Sequence, residues 1–135
     1  MKRSQIDVQV PKPTILIVED HEAVRASLRN LLVANFADCR FLEAKTGEEA
    51  IALVRTHRPE IVVIDIGLPK MSGIESTRNI KSEVPKTKVV VMTIHEATEY
   101  RADADAAGAR AFVLKSEIPS KLVPLLGEVL SELSD

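Results

Sequence analysis

The chain has no tryptophan, one cysteine and few aromatics, which make up 3% of its 135 residues. A single cysteine, Cys39, excludes an intramolecular disulfide and a CxxC metal site. It reads as a small apolar strand residue. Scarce aromatics leave no platform for stacking bases. Basic charge is not in excess either: the net charge is −2 and the pI is near 5.9. The footprint of a nucleic-acid binder is therefore missing, and no direct nucleic-acid contact is expected. No apolar run exceeds a handful of residues, far short of the roughly 20 that span a bilayer. The start, MKRSQIDVQVPKP, lacks the apolar core of a signal peptide. A cytoplasmic location, with no membrane partner, is the expectation.

What is present is alternation. Short β-branched runs lie at Thr14–Val18, Cys39–Ala44, Ile61–Asp65, Lys88–Thr93 and Ala111–Leu114. IVVID and KVVVMT are continuously apolar, as strands buried on both faces are. The intervals read as helices. Val24, Leu28, Leu31 and Leu32 share one helical face. TGEE (from Thr46) and SGIE (from Ser72) have the capping-box pattern. Thr98 to Ala107 is alanine-rich and Gly108 suits a C-terminal cap. Leu122, Leu125, Leu126, Val129, Leu130 and Leu133 predict a last helix, with Pro124 in its first turn. Strands alternating with helices predict an α/β fold, a (βα)5 unit with a five-stranded parallel sheet and helices on both faces. Residues 1–13 read as a loose tail and 14–135 as one domain.

Ligands of an open α/β sheet bind at the carboxyl ends of its strands. There the first strand delivers Glu19 and Asp20, the second Glu43 and Ala44, the third Asp65, the fourth Thr93 and the fifth Lys115. Each has a plain explanation alone: an Asp after a strand is commonly a helix cap, a Lys there is commonly solvated. Their coincidence on one rim is what points to chemistry. Three close carboxylates need a cation. Oxygen ligands suit Mg²⁺. A metal and Lys115 would neutralise phosphoryl oxygens, Thr93 would donate a hydrogen bond, and one carboxylate would form an acyl phosphate. Asp65, alone at the centre of the chain and at the end of its most buried strand, is the best candidate nucleophile.

This set resembles a known family. Glu19-Asp20, Asp65 in VVIDIGLPKMSG, Thr93 in VVVMTIHE and Lys115 in GARAFVLKS resemble the receiver domain of response regulators in two-component signalling, from Thr14 to about Leu133. The loops TIHE and LKSE resemble receivers that carry a C-terminal LuxR-type helix-turn-helix domain. The resemblance implies a flavodoxin-like fold with strand order 2-1-3-4-5. It implies that Asp65 accepts a phosphoryl group from a sensor histidine kinase. Asp20, Asp65 and the Gly67 carbonyl would hold Mg²⁺ directly, and Glu19 through a water. Thr93 and Phe112 would act as the switch, altering the face made by the fourth helix, fifth strand and fifth helix toward an output domain or partner. Homodimerisation on phosphorylation is a further family expectation. Gly67 and His95 occupy positions that tune phosphoryl lifetime.

Some positions depart from the commonest pattern. Glu19 stands where Asp is frequent, Phe112 where Tyr is, and Ser116 where Pro is. Two other readings stay open at this stage. One is a binding module of the same fold that is never phosphorylated. The other is an aspartate-nucleophile phosphatase of the haloacid dehalogenase type, which needs an Asp where Gly67 stands. A receiver would catalyse only its own phosphorylation and dephosphorylation, and would not be a metabolic enzyme.

Overall fold

The computed structural model describes residues 12–94 and 98–133. Among the described residues five strands alternate with five α-helices: β1 (Thr14–Val18), α1 (Glu22–Asn35), β2 (Arg40–Ala44), α2 (Gly47–His57), β3 (Ile61–Asp65), α3 (Gly73–Glu83), β4 (Lys88–Thr93), α4 (Thr98–Ala106), β5 (Ala111–Leu114) and α5 (Val123–Glu132). All pairings are parallel. The order across the sheet is 2-1-3-4-5, as the resemblance implied. The expected tail, residues 1–13, lies outside the described residues up to residue 11.

Successive strand residues face opposite sides of a sheet. Here that alternation splits the core in two. Leu16, Val18, Val62, Ile64 and Val91 pack under α2, α3 and α4. Ile15, Ile17, Val63, Met92 and Val113 pack under α1 and α5. β1 and β3 are buried along their whole length, which is why their sequences are apolar without alternation.

The helix signals hold in detail. The Thr46 and Ser72 hydroxyls accept from the amides of Glu49 and Glu75. Glu49 also reaches back, to the amide of Lys45. Gly108, at φ +99°, turns the chain out of α4. Three expectations need correction. β2 starts at Arg40 because the Cys39 amide bonds the Phe36 carbonyl in a turn. On α1, Val24 is 37% exposed, and the buried stripe is Arg25, Leu28 and Leu32. An arginine on the inner face has polar partners there, described below. Leu133 likewise stands outside the core, which takes Leu122, Leu126 and Val129.

Candidate functional site

The register carries five of the strand-end residues, Glu19, Asp20, Asp65, Thr93 and Lys115, to one end of the sheet. Val18 pairs Ile64 and Asp65 pairs Met92, so the acids after β1 stand beside the end of β3. Thr93 pairs Leu114, which sets Lys115 beyond the end of β5. Asp65, Gly67, Thr93, Lys115 and His21 line one cavity of about 410 Å³. Ile94, 71% exposed, and Tyr100 stand at its wall.

Glu19, Asp20 and Asp65 each offer an oxygen within 4.8 Å of the others. Glu19 is wholly buried and Asp65 nearly so, whereas Asp20 is half-buried. Asp20 does not cap α1; the cap position belongs to His21. Lys115 supplies the counter-charge. Its Nζ lies 2.7 Å from Glu19 Oε1 and 3.4 Å from Asp65 Oδ1. Burial works against the ammonium most strongly. The bond to Glu19, with the charges of Asp65 and Glu19, outweighs it and holds the Lys115 pKa above its ordinary 10.5. The other Glu19 oxygen, Oε2, accepts from the His21 amide at 3.1 Å.

The donors are all hard oxygens, and three carboxylates carry more charge than one lysine balances. That composition fits Mg²⁺. Gly67 follows closely: a β-carbon on it would sit 3.5 Å from Asp65 Oδ2. Its lack of a side chain keeps the approach to the carboxylate open. The Lys115–Ser116 peptide is trans. Phe112 is half-buried, and the Arg101 guanidinium carbon lies 4.6 Å from its ring centre. The expected tuning residue His95 lies outside the described residues.

Two further residues support the site: Gly73, which the sequence places in shaping the loop after Asp65, and Arg25, which the sequence reading missed. Gly73 begins α3 directly on the Asp65 backbone. Arg25 is 8% exposed, and its Nη1 donates to the Glu19 carbonyl at 2.9 Å. A signal for Arg25 was present: it falls at i, i+3, i+7 with Leu28 and Leu32, where an apolar residue is the norm.

Residues 15–126 match the family model described as the response regulator receiver domain. Response regulator UvrY of Escherichia coli (strain K12) is 32% identical over 117 residues, 87% of this chain and 54% of that protein. Transcriptional regulatory protein DegU of Brevibacillus brevis is 31% identical over 104 residues, 77% of this chain and 44% of that protein. The chain thus spans about half the length of the curated relatives it matches. Among solved structures, a LuxR-family two-component response regulator from Aurantimonas sp. SI85-9A1 superposes with a TM-score of 0.84 at 33% identity, covering 90% of this chain and 87% of that one. A CheY-like receiver domain protein from Methanospirillum hungatei JF-1 gives 0.83 at 28% identity, over 90% and 96%.

Proposed function

The chain belongs to the response regulator receiver domain family, and from that premise we propose that it is a phosphorylation-switched module with Asp65 as phosphoacceptor. The observation that carries this reading is the rim itself. A nearly buried Asp65 has oxygens of two further acids within 4.8 Å and the Lys115 ammonium at 3.4 Å. An Asp65 oxygen would bond the phosphorus of a kinase phosphohistidine as the phosphorus–nitrogen bond breaks, leaving an acyl phosphate.

Asp20, Asp65 and the Gly67 carbonyl would hold Mg²⁺ directly. When bound, the ion supplies positive charge that balances the carboxylates and the phosphoryl oxygens. Glu19 would act through water; both its oxygens are already engaged, by Lys115 and the His21 amide. Lys115 would exchange its contact with Asp65 for the phosphoryl oxygens, and Thr93 would donate its hydroxyl to them. Such contacts favour one of two conformations and so shift their populations.

The output face would be α4, β5 and α5. Arg101 ties α4 to Phe112 on β5, so an inward turn of Phe112 would release that stack. Arg110 bonds Glu132 and joins the start of β5 to α5. A kinase would be the upstream partner in the cytoplasm. An output domain, a downstream protein or a second phosphorylated copy would be the downstream one. Among the described residues no helix is long and apolar enough to cross a membrane. The module would turn over no external substrate beyond its own phosphoryl group.

The test is incubation with Mg²⁺ and acetyl phosphate, followed by intact mass. A single labile phosphate adduct, lost in Asp65→Asn, is expected. No adduct, or one that persists in Asp65→Asn, would overturn the reading.

A further inference from the structure

Arg25 is a charged residue on the inner face of α1, where a helix ordinarily presents an apolar side chain. Its guanidinium donates in two directions. Nε donates to Glu43 Oε1 at 2.9 Å, and Nη1 donates to the Glu19 carbonyl at 2.9 Å. The other Glu43 oxygen is held by Arg29 at 3.4 Å, so the fork is braced from the end of β2.

The carbonyl it holds belongs to the peptide joining Glu19 to Asp20. The sheet ladder reaches only one residue past β1, where the Glu19 amide donates to Ala44 at 3.1 Å. Beyond that, the chain leaves the sheet and enters α1. Glu19 is wholly buried, so its carbonyl needs a donor away from water. Arg25 is that donor. Glu19 is thereby held on both sides: β2 holds the peptide before it through the Glu19 amide, and Arg25 on α1 holds the Glu19–Asp20 peptide after it through the carbonyl. The setting of this peptide fixes ψ of Glu19 and φ of Asp20, the backbone angles on which the relative placement of the two acids rests. An apolar residue at position 25 would fill the helix stripe equally well, but would leave the peptide free to rotate.

We propose that Arg25 is a positioning residue for the cation site, holding the Glu19–Asp20 peptide so that both acids face Asp65. The inference rests on the Mg²⁺ reading above and extends it to a residue that touches neither the metal nor the phosphoryl group. Partners that orient metal ligands from behind carry a measurable part of metal affinity.

The test uses the whole chain, with Arg25→Met and Arg25→Lys. Met keeps length and apolar bulk and donates nothing. Lys keeps charge and a donor but loses the rigid two-armed fork. Two quantities are read by amide NMR: hydrogen exchange at His21 without metal, and the Mg²⁺ titration of the Asp20 amide. In Arg25→Met, His21 exchange should rise and Mg²⁺ affinity fall by about tenfold, with Arg25→Lys between it and the parent. Parent-like exchange and Mg²⁺ affinity in folded Arg25→Met would overturn the proposal. Should Arg25→Met fail to fold, the same parent-like pair in Arg25→Lys would overturn it. If the parent itself shows no Mg²⁺ response, the metal reading falls, and exchange at His21 still decides what Arg25 does.

Discussion

Gly73 lies against the backbone of Asp65: a β-carbon on it would stand 2.8 Å from the Asp65 carbonyl carbon and 2.9 Å from the Ile66 Cα. The Gly73 amide donates to the Ile66 carbonyl at 3.0 Å, which locks the approach. The end of β3 and the start of α3 therefore meet backbone to backbone, and neither has a flexible end that yields.

Gly73→Ala should cost about 2 kcal/mol, the scale of overpacking against fixed atoms. Gly127, inside α5, has nothing within 4 Å of its added β-carbon. Gly127→Ala should stabilise by roughly 0.5–1 kcal/mol through helix propensity. Urea midpoints of the two variants should move in opposite directions. A parent-like midpoint for Gly73→Ala would contradict the close approach.

Lys115→Met should destabilise the metal-free protein by about 2–3 kcal/mol, because it leaves the wholly buried Glu19 without its ammonium partner. Added Mg²⁺ should then stabilise the variant more than it does the parent, since its charge replaces the missing one. Urea unfolding with and without Mg²⁺ measures both. Equal metal-free midpoints would show that the Lys115–Glu19 pair contributes nothing.

Asp20→Asn should do the reverse. It removes one of three mutually repelling carboxylates, so metal-free stability should rise by up to about 1 kcal/mol. Mg²⁺ affinity should weaken strongly, because the half-buried Asp20 is the acid most open to an entering ion. Calorimetric titration gives the affinity. Unchanged binding in this variant would remove Asp20 from the site.

Cys39 supplies a pH prediction. Burial, followed by the charges of Asp38 and Glu60, pushes its thiol above 9.0. The thiolate is the reactive form, so iodoacetamide at pH 8 should label the folded chain more slowly than the urea-unfolded one. Labelling of the folded chain should climb with pH and level off only above pH 9.0. Asp38→Asn should speed it by removing a repelling charge. A folded-state rate equal to the unfolded one at pH 8 would contradict the shift.

The alternation of helix and strand, most strand limits and the five rim residues could be read from the sequence. The reason is that each depends on a local pattern: an apolar run, a cap, a residue at a strand end. The order 2-1-3-4-5 came with the family resemblance, because no local pattern states which strands pair. Tertiary structure alone decided what those residues touch. Lys115 meets Glu19 across 96 positions of chain. Arg25 takes the buried place that the sequence reading gave to Val24, because a carbonyl at the end of β1 needs a donor that no aliphatic side chain provides. Gly73 reads as a residue after a helix cap until the Asp65 backbone is found beside it. Sequence placed the acids on one rim. Packing across the sheet determined which are buried, which cation faces them and what holds their backbone still.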